Sequence, residues 1–277
     1  MKTSKTDPSQ VEKFTNDILN SRKYRALNIP AETVKNLFDE ELRLGRTLKQ
    51  ADDNVRTKLH NIMAPYLGDP DYESAAVRLT EASQSHDPQQ IQTACAEILN
   101  CHASTRERLP ILNEFYERIF SKIGKPASVI DLACGLNPFA FPWMGLPATI
   151  HYYAYDIHQP RIELINHFFK LAGLAPLARI QDILVHPPTE PADAAFFFKE
   201  AHRFEQRQHG CNLAMWQAVR VPWLLVSLPT SSLSGKYDLA DRQRALVYGI
   251  LKNQPWQVEE LLIDTELVFC INKGKTI

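Results

Sequence analysis

A single glycine turn near the middle of the chain is the first place where residue types and spacing suggest chemistry. The run DLACGLNP at 131–138 follows a short apolar stretch typical of a buried strand, and a helix is expected after it. A ligand can approach a glycine backbone closely, and a helix N-terminus favours an anion. Gly135 is the only glycine of this run, so the dinucleotide fingerprint GxGxxG is absent. One glycine with Asp131 four positions earlier favours S-adenosylmethionine (SAM), which has no pyrophosphate, over a nicotinamide cofactor.

Three further polar residues stand where predicted strands end. Asp156 ends the second strand, and its carboxylate can accept hydrogen bonds from both hydroxyls of a ribose. Asp182 ends the third strand, where it can meet the exocyclic amine of an adenine, and Lys199 ends the fourth, where a substrate base would enter. An aspartate after a strand is more often a helix cap, but the order Gly135, Asp156, Asp182 is typical of the class I SAM-binding fold.

A second polar cluster, HASTRER at 102–108, comes just before the first strand. Ser104 and Glu107 have the S-x-x-E spacing of a capping box, which predicts that a helix begins here. A capping box does not account for Arg106 and Arg108, because the helix dipole disfavours positive charge in the first turn. Each arginine therefore favours an anion nearby, which we expect to be the SAM carboxylate for Arg108 and an RNA phosphate for Arg106.

The hydrophobic pattern divides the chain in two. Apolar residues recur at helical spacing through the first hundred residues, and from about residue 127 short β-rich runs alternate with helical ones. This alternation predicts an α/β fold with a mainly parallel sheet, in which 258–263 and 267–271 form a closing antiparallel pair. We expect an all-helical domain at 1–104 and a Rossmann-like catalytic domain at 105–277, with ligands beyond the carboxyl ends of the strands.

Composition limits the classes of function. The 277 residues carry a formal net charge of −1, so a nucleic-acid partner must bind a local basic patch. Residues 1–66 have a charge balance of +3, whereas residues 67–104 have a balance of −5. The five cysteines form no CxxC motif, which disfavours disulfides and a zinc site. No apolar run approaches the ~20 residues of a membrane span, so we expect a cytoplasmic monomer that binds neither DNA nor a membrane.

The motifs HASTRERL at 102–109 and DLACGLNP at 131–138 resemble the aminoglycoside-resistance 16S rRNA (guanine(1405)-N(7))-methyltransferase family. Members of that family methylate N7 of one guanine in the ribosomal decoding site. The likeness covers most of the chain and includes SRKY at 21–24, KLH at 58–60, FPWMG at 141–145, DIH at 156–158, LPT at 228–230 and TELV at 265–268.

This resemblance implies a class I SAM-dependent methyltransferase domain with a seven-stranded sheet, preceded by a helical domain that docks on the 30S subunit. SAM is then the methyl donor and leaves as S-adenosyl-L-homocysteine, and no metal takes part. The cofactor contacts carried over from the family are Tyr66, His102, Ala103, Ser104, Arg108, Ala133, Gly135, Asp156, Asp182, Ile183, Phe198 and Arg207.

The basic bias of the N-terminal region predicts where RNA binds. A single surface lysine is more often simply solvated, but as a group these cations favour docking on phosphates, with strong salt dependence. The candidates are Arg22, Lys23, Arg25, Lys35, Arg43, Arg46, Lys49, Arg56, Lys58 and His60, with Lys236 near the target base.

Guanine N7 has a free lone pair and no proton, so its methylation needs no general base and depends on positioning. The base must first leave its stack, and Lys199 is the residue that we expect to position it. Two segments depart from the family pattern, namely EAHRFEQR at 200–207, where the family tends to continue with Leu-Pro, and SSLSGKYDLADR at 231–242. They leave open a diverged ribosome-binding homologue with weak or no methyl transfer. A separate alternative is an unrelated small-molecule methyltransferase on the same fold, which must account for the N-terminal helical domain.

Overall fold

The computed structural model describes residues 8–64, 68–231 and 237–274. Two of the predicted contact residues, Tyr66 and Lys236, lie outside the described residues.

The first three helices share a hydrophobic core of their own. Their apolar residues recur at i, i+3 and i+4, which places fully buried side chains such as Phe38 and Val55 on facing sides. The third helix begins at a capping box between Thr47 and Gln50. The three helices are α1 (Pro8–Leu19), α2 (Ala31–Arg43) and α3 (Leu48–Met63).

The later part of the helical pattern predicted for the first hundred residues forms two helices, α4 (Tyr72–Gln84) and α5 (Pro88–Asn100). The chain breaks between them because the side chain of Asp87 caps α5 and Pro88 occupies its first turn. Buried residues of α4 and α5 belong to the core that covers one face of the sheet. The domain boundary at residue 104 stays a prediction. The buried side chains of α4 and α5 pack in the same core as those of the sheet.

Seven strands form one sheet in the order β3-β2-β1-β4-β5-β7-β6. Strands β1 to β5 are parallel, and β7 lies antiparallel between β5 and β6, which confirms the predicted architecture. Strand β1 lies between β2 and β4. The connection from β1 to β2 and the connection from β3 to β4 run in opposite directions along the sheet, so a crevice opens at the carboxyl ends of β1 and β4. The strands are β1 (Ser128–Leu132), β2 (His151–Asp156), β3 (Ala178–Ile180), β4 (Ala194–Phe198), β5 (Trp223–Pro229), β6 (Gln257–Ile263) and β7 (Glu266–Asn272).

Both faces of the sheet are covered by apolar side chains. Consecutive strand residues point to opposite faces, so Phe196 enters the core shared with α4 and α5, and Phe197 enters the second core. The remaining helices are α6 (Ala103–Arg106), α7 (Leu112–Ile123), α8 (Phe141–Met144), α9 (Gln159–Leu171), α10 (Ala201–Arg207), α11 (Cys211–Ala218) and α12 (Ala240–Leu251).

The capping box predicted at Ser104 and Glu107 is wrong. His102 stands at the start of α6, and no side chain caps this four-residue helix. Glu107 follows the end of α6 and instead accepts a hydrogen bond from Lys199. The next helix begins only at Leu112, after a short 3-10 turn that contains Pro110.

In the part of the chain that the structure describes, no helix has the length and apolar character needed to cross a membrane. Among those same residues, no three His, Cys, Asp or Glu side chains are grouped so that they could hold a metal ion. The five cysteines are free thiols.

Candidate active site

A cavity of about 330 Å³ lies at the carboxyl ends of β1, β2 and β4. This is the position at which parallel α/β sheets bind their ligands, and the volume is that of a small-molecule site. Ala103 lines a neighbouring cavity. The first cavity is lined by ten of the residues predicted to contact the cofactor: His102, Ser104, Arg108, Ala133, Gly135, Asp156, Asp182, Ile183, Phe198 and Arg207.

The turn after β1 exposes its backbone to this cavity. Ala133 and Gly135 both have positive φ angles, of 50° and 54°, so the chain curls tightly as it leaves the strand. A non-glycine residue rarely adopts such an angle, and this kind of strain concentrates at functional sites. A Cβ atom at Gly135 would meet a guanidinium nitrogen of Arg161 at 3.7 Å, so the glycine is required by its φ rather than by crowding.

The carboxylate of Asp156 is held in place from three directions. Its oxygens accept hydrogen bonds from the backbone N–H of Gly135, the backbone N–H of His158 and Nη1 of Arg161, each at 3.1 Å. Arg161 also forms an ion pair with Asp69, which precedes α4. The predicted ribose acceptor is therefore a buried, oriented carboxylate in the wall of the cavity.

Asp182, predicted to meet an adenine amine, also lines the cavity and forms an ion pair with Arg207. Arg207 donates to both of its oxygens, at 3.0 and 2.6 Å, and the backbone N–H of Leu184 donates to Oδ1 at 3.1 Å. The same guanidinium donates to Asn36 of α2 at 3.0 Å. Arg207 thus connects the cofactor cavity to the N-terminal helices.

Helix α3 forms part of the cavity wall through Lys58, Asn61 and Ile62. Asn61 and Ile62 were not predicted from the sequence, and Lys58 was predicted to bind RNA. Lys58 is half-buried, forms an ion pair with the buried Glu41 at 2.7 Å, and donates to the carbonyl oxygen of Arg207. The pattern of a single helix offers no signal for the contact between Lys58 and Arg207, because these residues are 149 positions apart.

The anion that Arg108 was expected to need is present within the protein. Arg108 forms a two-pronged ion pair with Glu266 at the start of β7, and Nη1 donates to Asn137 at 2.9 Å. Its guanidinium lies between the rings of Phe115 and Phe198, at 4.2 and 4.7 Å from their centroids. Both charged groups are only 2% exposed. Burial opposes ionisation of Glu266, but Arg108 and Lys199 hold its pKa below the ordinary value.

Asp131 lies beneath the glycine turn and lines the same cavity. Its Oδ2 accepts hydrogen bonds from the Asn137 side chain at 2.9 Å and the Tyr152 hydroxyl at 2.7 Å. Burial nevertheless raises the pKa of this carboxyl from 3.8 to about 7. The site therefore contains a carboxyl that changes charge near neutral pH.

This pKa predicts a pH-dependent affinity for a cationic ligand. The folded protein retains a proton that the unfolded chain releases near pH 3.8, so the free energy of unfolding falls as pH rises towards about 7. A bound cation favours the ionised carboxylate, so SAM affinity should rise roughly tenfold between about pH 6 and 8. Calorimetric titration of wild type and Asp131→Asn measures this. The variant should lack this component, and an equal pH dependence in both proteins would contradict the assignment.

A second cavity, of about 770 Å³, adjoins the first. Lys199 lies buried in its wall, donates to Glu107 at 2.8 Å and lies 3.5 Å from Glu266. Lys199 also has a positive φ of 62°, at the point where β4 ends. The predicted base-positioning residue is therefore held by two carboxylates beside a space larger than the cofactor cavity.

The predicted RNA contacts on the N-terminal helices differ in exposure. Most of them are exposed, namely Arg22, Lys23, Arg25, Lys35, Arg43, Arg46, Lys49, Arg56 and His60. Several are already paired: Arg43 with Glu40, Arg56 with Asp52, and Lys23 with His60. Arg46 pairs with the buried Glu41, to which Lys58 also binds.

Comparisons with known proteins agree with this geometry. The 16S rRNA (guanine(1405)-N(7))-methyltransferase of Serratia marcescens is 33% identical to this chain, over 93% of this chain and 96% of the relative. The corresponding enzyme of Frankia casuarinae is 31% identical, over 95% and 94%.

Solved structures give the same result. The 16S rRNA methylase RmtB matches 97% of this chain and 100% of its own with a TM-score of 0.75 and 30% identity. The 16S rRNA methyltransferase RmtF, in complex with S-adenosyl-L-homocysteine, matches the same shares with a TM-score of 0.76 and 28% identity. A family model described as ribosomal RNA methyltransferase (FmrO) matches residues 20–270. The chain therefore belongs to the FmrO family of ribosomal RNA methyltransferases.

Proposed function

We propose that this protein transfers the methyl group of SAM to N7 of guanine 1405 of 16S rRNA in the 30S subunit, and so confers aminoglycoside resistance. The observation that carries the proposal is that Gly135, Asp156 and Asp182 line one cavity at the carboxyl ends of the strands. The relatives named as 16S rRNA (guanine(1405)-N(7))-methyltransferases support the choice of substrate. A methyl group and a positive charge at N7 would block the hydrogen bonds of a cationic drug.

The residues of the cavity fit SAM chemically. Asp156 offers acceptors to the ribose hydroxyls, and the open backbone at Gly135 permits close approach. Asp131, when ionised, supplies negative charge to the cavity, which suits a ligand with an ammonium group and a sulfonium, whereas the charge of Asp182 is paired with Arg207. When bound, SAM supplies the electrophilic methyl group.

The second cavity is where we place the target base. Lys199 in its wall can donate a hydrogen bond to an acceptor on the base, while Glu107 and Glu266 keep its ammonium group in position. N7 carries no proton, so these residues need only hold the base in line with the methyl group. Catalysis then depends on positioning rather than on a general base.

We further propose that the helical region 1–104 docks on the 30S subunit, and that the protein acts as a cytoplasmic monomer. The exposed cations of α1–α3 and the segments between them supply the basic surface. Residues 67–104 carry a net charge of −5, so within the region 1–104 the basic surface is confined to the first three helices.

Removing exposed positive charge from this surface should weaken subunit binding and leave SAM affinity unchanged. The double variant Arg25→Gln/Lys49→Gln is the cleaner test, because Arg46 pairs with the buried Glu41 and Lys58 lines the cofactor cavity. The slope of log affinity against log salt should fall by about 2, roughly one unit per phosphate contact. The matched control Lys170→Gln/Lys252→Gln removes two exposed lysines from the catalytic domain. Equal losses in both double variants would count against docking through the N-terminal helices.

Transfer of tritiated methyl groups from SAM to isolated 30S subunits tests the proposed activity. We expect one methyl group per subunit and no transfer to small-molecule acceptors. SAM binding without transfer to 30S subunits would favour the diverged ribosome-binding homologue, because residues 200–207 beside the base cavity depart from the family pattern.

A further inference from the structure

The cofactor cavity and the base cavity meet along a shared wall. Five residues line both cavities: His102, Ser104, Glu200, Arg203 and Gln206. Glu200 is the one acidic residue among these five. A methyl group that passes from a ligand in one cavity to a base in the other must cross this junction. The side chain of Glu200 therefore stands beside the path of the transfer.

The backbone and one neighbour hold Glu200 in this position. It follows Lys199, whose positive φ turns the chain sharply at the end of β4, and it immediately precedes α10. Arg203, one turn along that helix, donates from Nη1 to Oε1 of Glu200 at 3.2 Å. The Glu200 side chain is 23% exposed and that of Arg203 is 37% exposed, so the carboxylate is the more enclosed member of the pair.

The reaction moves a positive charge across this junction. The N7 lone pair forms the new bond to the methyl carbon, the bond from that carbon to sulfur breaks, and its electron pair stays on sulfur. The sulfonium becomes a neutral thioether, and the purine becomes a cation. No proton leaves, so the net charge is constant and only its position changes. A fixed negative group near both positions attracts that charge throughout the transfer.

We propose that Glu200 recognises the sulfonium: its carboxylate attracts the positive charge on the sulfur of bound SAM and, as that charge moves, on the target guanine. This role rests on the proposed function. It concerns a position at which the chain departs from the family pattern, where Leu-Pro tends to follow the lysine.

A comparison of two ligands isolates this charge from every other contact. SAM and S-adenosyl-L-homocysteine share the ribose, adenine, ammonium and carboxylate groups, and they differ in the methyl group and the positive charge on sulfur. Hydrogen bonds to these shared groups therefore cancel in the ratio of the two affinities, and the attraction of Asp131, Asp156 and Asp182 for the sulfonium is the same in wild type and in a Glu200 variant. Isothermal titration of the full chain with each ligand gives that ratio.

In Glu200→Gln, the preference for SAM over S-adenosyl-L-homocysteine should fall about tenfold, the order expected for one partly buried charge a few ångströms away. Affinity for S-adenosyl-L-homocysteine should stay near the wild-type value. The matched control Asp241→Asn removes one negative charge from an exposed position on α12 and should leave the ratio unchanged. An unchanged ratio in Glu200→Gln would overturn the proposal.

Arg203→Gln provides a second test with the opposite sign. Removal of the guanidinium that partly neutralises Glu200 should increase the preference for SAM. If Glu200→Gln binds neither ligand, this variant decides: an increased preference supports the role of Glu200, and an unchanged or reduced preference overturns it. Methyl transfer to 30S subunits separates the two proposals. Wild-type transfer with an unchanged ratio overturns the role of Glu200 alone. A changed ratio without any transfer overturns the proposed function and leaves only the attraction of Glu200 for the sulfonium.

Discussion

Asp156→Ala should lower the affinity for SAM roughly 100-fold or more, because two hydrogen bonds to a charged acceptor contribute about 1.5–3 kcal/mol each. The carboxylate is already oriented by Gly135, His158 and Arg161. The ribose hydroxyls therefore meet an acceptor that needs no reorganisation. Asp156→Asn keeps one oxygen acceptor and loses the charge, so its loss of affinity should be smaller.

Equilibrium titration with SAM measures this effect, and thermal unfolding shows whether the variant is folded. Asp53→Ala removes an exposed carboxylate from α3 and serves as the matched control. A folded Asp156→Ala protein that binds SAM as tightly as wild type would contradict the assignment of the ribose site.

Arg108→Leu should lower the free energy of unfolding by about 3–5 kcal/mol, because it leaves the buried Glu266 without its main partner. Lys199, 3.5 Å away, compensates only partly. The double variant Arg108→Leu/Glu266→Leu removes both charges, so it should be more stable than the sum of the single losses predicts. Lys199 keeps Glu107 as a partner in that protein.

Urea denaturation of the wild type, both single variants and the double variant gives the coupling energy of this pair. Arg78→Leu is the matched control, since its ion pair with Glu97 is exposed, and its effect should stay below about 1 kcal/mol. Additive losses in the double variant would show that Arg108 and Glu266 do not stabilise each other.

Much of the cofactor cavity could be predicted from the sequence because it is built from strand ends. Each of Gly135, Asp156 and Asp182 stands at or just after the end of a predicted strand. The local pattern of each strand therefore places its residue at the same edge of the sheet. The two closing strands begin and end within one residue of the predicted bounds, 258–263 and 267–271, and their antiparallel pairing was also predicted correctly.

Other parts of the site depend on contacts between distant segments and have no local signal. Glu107 has the spacing of a capping box, but its carboxylate accepts a hydrogen bond from Lys199, which lies 92 positions later in the chain. An anionic partner was predicted for Arg108, but no local pattern identifies that partner as Glu266, which lies 158 positions away. The wall that α3 contributes follows from contacts of Asn36 on α2 and Lys58 on α3 with Arg207 of α10, which periodicity within one helix does not reveal.

The most direct test of the central claim is to map the modified nucleotide after purified protein, SAM and isolated 30S subunits are incubated together. Borohydride reduction and aniline treatment cleave RNA at N7-methylguanine, and primer extension then locates the break. The account predicts one new break at guanine 1405, which is lost when Asp156→Ala replaces the wild type. If the RNA is not cleaved at guanine 1405 after incubation with protein that binds SAM, the proposed activity is contradicted.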